Sequence, residues 1–157
     1  MPEKRTLERA RRDKEQGKSA STQAGEFVRE EIDHVREGKH GARSAKQAIA
    51  IGLSKARRAG VKLRPPRGKT TSAETRRQAK RDTQRSRSRS RRPSTTRSRA
   101  TFRALTKEGR SAGSKEALSR QARGAAARRP KAARSQAARR AAATRAHRGT
   151  DRRRRAR

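Results

Sequence analysis

Three groups of residues in this chain are of types that do chemistry, and their spacing decides what each can do. His34, Glu37 and His40 offer two imidazoles and a carboxylate within seven residues, donor types that bind zinc. Gly38 breaks the segment between the histidines, no H-E-x-x-H spacing is present, and there is no Cys to complete a thiolate set. The expectation is therefore solvated surface side chains with no metal and no cofactor. Gly68-Lys69-Thr70 has the ending of a phosphate-binding loop, but position 63, where that loop needs its earlier glycine, is Leu, and no strand precedes it. Serine chemistry needs a rigid, water-excluding scaffold. None is expected here, so the chain reads as neither an enzyme nor a binder of small-molecule substrates.

The third group is the arginines. The chain carries 49 Lys and Arg against 14 Asp and Glu, a formal net charge of +35. Guanidinium forks match phosphate oxygens bidentately, which makes an Arg excess a signature for nucleic acid. The charge is uneven. Residues 1–60 balance at +6, whereas residues 61–157 hold 34 Lys and Arg against five acids, a balance of +29. Candidate phosphate contacts are Arg85, Arg87, Arg89, Arg91 and Arg92 in the Ser/Arg run. Arg120, Arg123, Arg128, Arg129, Arg134, Arg139, Arg140, Arg152, Arg153, Arg154 and Arg155 follow in the Arg/Ala-rich part. Such contacts carry no sequence information. Aromatic residues that would stack on single strands are nearly absent, with two Phe and no Tyr or Trp, so duplex DNA is favoured over RNA. The Ser-Arg alternation also permits a phosphorylation switch, although a flexible basic linker is the simpler reading.

What positions these groups is a matter of core. Phe, Leu, Ile and Val total thirteen in 157 residues, and 40% of residues are charged. Low hydrophobicity with high net charge is the composition of disorder. The expected fold class is thus mostly disordered with all-α elements: a small helical hairpin followed by an Arg/Ala-rich low-complexity tail. Four stretches are expected. Residues 1–20 form a charged arm with a frayed helix, and 21–61 the hairpin. Residues 62–100 form a disordered Ser/Arg-rich linker opened by Pro65-Pro66, and 101–157 a basic tail that is helical only on an anion. No apolar run is long enough to span a bilayer and no signal-peptide core is present, so a soluble, cytoplasmic protein without membrane insertion is expected.

The hairpin is read from periodicity and caps. Ser21 and Thr22 are candidate N-caps for a first helix. In it Val28, Ile32 and Val35, with Phe27 alongside, share a face, while Glu26, Glu30 and Glu31 complement the dipole near its start. Ser44 and Gln47 make a capping box for the second helix, Gly60 its stop, and Ala48, Ile49, Gly52, Leu53 and Ala56 its apolar face. The second helix is open to three roles: packing on the first, self-association through its small residues, or entering a groove.

The run "GKHGARSAKQAIAIGLSKARRAG", residues 38–60, resembles the signature of a family of small basic bacterial proteins, often labelled DNA-binding or plasmid-stabilisation proteins. That resemblance implies no catalytic residue. Together these readings predict a non-enzymatic, sequence-tolerant nucleic-acid-binding protein of nucleoid-associated or plasmid-maintenance type, located at the nucleoid. The alternative is an adaptor whose hairpin binds a protein partner, with DNA contact secondary.

Overall fold

The computed structural model describes residues 2–66, 71–87 and 94–155. Within them the chain forms seven α-helices and no strand: α1 (Lys4–Glu15), α2 (Ala20–Glu37), α3 (Ala45–Arg58), α4 (Ala73–Arg87), α5 (Thr95–Thr106), α6 (Lys115–Ala127) and α7 (Lys131–Arg155). A 3₁₀ turn at Ser111–Gly113 precedes α6. Two compact units result, residues 1–118 and 119–157. Within the first, α2 and α3 pack most extensively, α1 covers α2, α4 covers α3, and the 3₁₀ turn seals against both central helices.

The expectation of a mostly disordered chain, with a tail helical only on an anion, is therefore wrong. The arm expected to fray is α1, the linker carries α4 and the start of α5, and the basic stretch is largely α6 and α7. The physical reason is the currency of the core. Counting large apolar side chains overlooks alanine, and eight of the eleven buried apolar residues described are Ala. Alanine gives up no rotamer freedom on burial and has the best helix propensity. One cluster joins Ala10 of α1, Ala24 and Phe27 of α2, Ala56 of α3 and Val61; a second joins Val35, Ala42, Ala48 and Ala112. Small side chains keep the backbones close. A Cβ on Gly52 would lie 2.7 Å from the Val28 Cα, so α3 crosses α2 at that point.

Of the predicted hairpin core, Phe27, Val35, Ala48, Gly52 and Ala56 are buried, and Val28, Ile32, Ile49 and Leu53 are half-buried. The centre of the α2 face is rotated from the predicted one. It runs through Ala24, Phe27, Glu31 and Val35, and it includes two acids, Glu30 and Glu31, that the sequence reading leaves in solvent. The small-residue face of α3, read as open to self-association, is occupied by α2.

Caps set the ends. Ser19, not Ser21 or Thr22, caps α2, accepting from the Thr22 N–H at 3.3 Å. Ser44 Oγ accepts from the Gln47 N–H at 3.2 Å, and Gln47 Oε1 accepts from the Arg43 N–H at 2.7 Å, one residue beyond the usual capping box. Gly38 closes α2 in the left-handed region at φ 77°, where a side chain would be strained. The turn that follows is bound by a later part of the chain. The Gly41 N–H donates to the Leu105 carbonyl at 2.9 Å and the Ala42 N–H to the Gly109 carbonyl at 3.0 Å.

Candidate functional site

Loop 38–42 holds His40 against the middle of α2, and a buried charge cluster forms there. The side chains of Glu31 and His40 are 1% and 9% exposed, with Glu31 Oε1 3.4 Å from His40 Nε2. Lys55, reaching from α3, sets its Nζ 2.6 Å from Glu31 Oε2 and 3.3 Å from Glu30 Oε1. The Lys55–Glu31 approach is close enough for an ion pair but off the angle of a hydrogen bond, and neither Glu31 oxygen accepts one. Removing one member of such a buried pair strands the other charge, at a cost of about 3–5 kcal/mol.

His34, one turn along α2 from Glu31, meets the His40 ring edge to face, centroids 5.9 Å apart. Its Nε2–H donates to Glu3 Oε1 at 2.8 Å, and Lys39 Nζ sits 3.1 Å from the same oxygen. The His34 hydrogen bond, then Lys39, hold the Glu3 carboxyl down at about 2, while Glu37 and Glu3 raise the Lys39 ammonium. The Glu3 main-chain N–H donates to Glu30 Oε2 at 3.1 Å, which ties the start of α1 to α2.

Donor atoms of Glu31, His34 and His40 all lie within 4.8 Å of one another, the arrangement among the described residues with ligands for a metal ion. The sequence reading expects His34, Glu37 and His40 as solvated surface side chains; Glu37 is one, but the two histidine side chains are 14% and 9% exposed. Glu37 is exposed and pairs with Lys39, whereas Glu31 is in the core. One signal was available: Glu31-x-x-His34 places both side chains on one helix face. The pairing with His40 and Lys55 depends on packing and left no local mark.

A second polar junction docks α4. Asp82, 1% exposed, accepts from Ser54 Oγ at 2.6 Å and Gln78 Nε2 at 3.1 Å, and lies 3.2 Å from Arg58 Nε. Nearby Arg57 is buried with an unpartnered Nε, and burial pulls its guanidinium below the ordinary value against the opposing charge of Asp82.

The predicted phosphate contacts fall in two groups. Arg85 is exposed on α4, and Arg120, Arg123, Arg128, Arg129, Arg134, Arg139 and Arg140 are exposed along residues 119–143. Arg87 closes α4, and Arg152, Arg153, Arg154 and Arg155 close α7. Arg89, Arg91 and Arg92 lie outside the described residues, as do Gly68, Lys69 and Thr70.

Residues 4–69 match a family of unknown function (DUF6496). The matched stretch carries α1, α2, α3 and the cluster of Glu31, His34, His40 and Lys55, and stops short of the arginine-rich helices. The match brings no activity with it, so the DNA-binding and plasmid-stabilisation labels attached to the resembling proteins receive no support from it. No curated protein and no solved structure matches the chain. Among the described residues no helix is long and apolar enough to cross a membrane.

Proposed function

We propose that this protein is a sequence-tolerant binder of nucleic-acid backbone, duplex DNA before RNA, with its affinity supplied by the arginines of α6, α7 and the turn between them. A location on the nucleoid would follow from that affinity. The observation that carries the reading is a contrast in charge balance. Residues 119–157 set 15 Lys and Arg against one acid, Asp151, whereas carboxylates of α1, α2 and α4 are paired with cations inside residues 3–82. A helix with cations on every side is repelled by itself at i,i+3 and i,i+4, and a phosphate lattice relieves that repulsion while releasing condensed counterions. No aromatic residue lies in 119–157 to read an unstacked base.

The test is binding of the full chain to a mixed-sequence duplex over a salt series, compared with a variant carrying Arg→Gln at positions 128, 129, 134, 139 and 145. The log–log salt slope should flatten by about 0.9 for each phosphate no longer neutralised, up to about 4.5 in all. An unchanged slope would place the affinity elsewhere in the chain. Binding to a bait protein but not to duplex would favour the adaptor instead.

A further inference from the structure

The His40 ring is oriented by its neighbour in the chain. Its Nδ1 lies 3.1 Å from the Gly41 carbonyl oxygen, which can only accept, so Nδ1 carries an N–H and Nε2 is the nitrogen open to a ligand. Nε2 faces Glu31 Oε1 at 3.4 Å. The two atoms meet inside the protein, and the carboxylate accepts no hydrogen bond. A shared proton would draw the atoms to about 2.7–3.2 Å. Two ligands at about 2.0–2.1 Å from a tetrahedral Zn2+ stand about 3.3–3.4 Å apart, which is the separation found.

We infer that Glu31 Oε1, His40 Nε2 and a ring nitrogen of His34 form a Zn2+ site that pins loop 38–42 to α2. The groups around it have the form of an outer shell. His40 Nδ1–H is held by a main-chain carbonyl and His34 Nε2–H by the Glu3 carboxylate, the partners that fix metal-binding imidazoles. Lys55 engages Oε2 of Glu31 and leaves Oε1 facing His40. A cleft of about 190 Å³ opens beside His34, its lining balanced between four carboxylates and four Lys or Arg side chains. Two imidazoles and one carboxylate suit Zn2+ over Mg2+ or Ca2+, and three protein ligands leave a fourth position for water.

The experiment uses full-length protein stripped of nucleic acid and of metal with a chelator. Zn2+ is titrated by calorimetry and against a chromogenic chelator, and Co2+ by absorption. One equivalent of Zn2+ should bind, and Co2+ should show the intense d–d bands of a tetrahedral site. His34→Ala and His40→Ala should each weaken Zn2+ at least about 100-fold, while His147→Ala leaves it unchanged. Absent binding, or binding insensitive to both His34 and His40, would overturn the site. Should either variant fail to fold by circular dichroism, the wild-type Co2+ spectrum decides. Octahedral or featureless absorption at one equivalent refutes the assignment, and tetrahedral bands uphold it.

Discussion

Gly25 and Gly52 both lie inside helices, and their surroundings give them opposite roles. A Cβ at Gly52 meets the Val28 Cα at 2.7 Å and the Phe27 carbonyl oxygen at 3.0 Å, main-chain atoms that cannot rotate away. Overpacking of about 1–3 kcal/mol then outweighs the up to ~1 kcal/mol that Ala gains in helix propensity. Gly52→Ala should lower stability by about 1–2 kcal/mol in urea unfolding. Gly25, exposed on α2 with nothing within 4 Å of its Cβ, should yield a gain of up to ~1 kcal/mol on Gly25→Ala. Equal effects from the two would mean that α2 and α3 do not touch at Gly52. Both glycines are plain in the sequence, and Gly52 falls in the predicted apolar face. Which one faces a neighbour's backbone is not legible there, because helical period alone does not say how closely a second helix comes.

At the scale of elements, α4 tests how a polar residue docks a helix. Its packing on α3 includes the buried Ala79 and rests on Asp82, which binds Ser54 and Arg58 across the interface. Hydrogen bonds to a charged group contribute about 1.5–3 kcal/mol each. Asp82→Ala should therefore cost about 2–4 kcal/mol of α4 docking, seen as faster amide exchange over Ala73–Arg87 with α2 little changed. Unchanged protection of α4 would show that its apolar packing suffices. Sequence reading places a disordered Ser/Arg-rich linker here because Ser-Arg alternation offers no core periodicity. The anchoring group is a carboxylate, which hydropathy counts as surface.

For the whole molecule, stability should follow the distribution of charge and burial. Opposite charges are paired inside α1, α2 and α3, and both apolar clusters lie in residues 1–118, whereas the described side chains of α7 are exposed apart from half-buried Ala133. Amide exchange should accordingly be slowest in α2 and α3 and fastest in α7. Addition of a short duplex should slow exchange in α7 and leave α2 unchanged, since phosphates remove the repulsion among its arginines. Equal slowing of both helices would mean that the duplex engages the folded α2–α3 region as well.

The start of α3, the stops of α2 and α3, the pairing of α2 with α3 and the charge asymmetry were determined by the sequence itself. Ser44, Gly38 and Gly60 act through backbone groups within a few residues, and periodicity reports a face wherever that face is apolar. Tertiary structure alone decided the rest. Glu3, Glu31, His40 and Lys55 converge from the start of α1, from α2, from α3 and from the loop between α2 and α3, and the core is built from alanines that a count of large side chains passes over. A buried carboxylate looks like a surface one until its partner is known. That partner lies 24 residues away for Glu31 and Lys55, and only packing brings the two together.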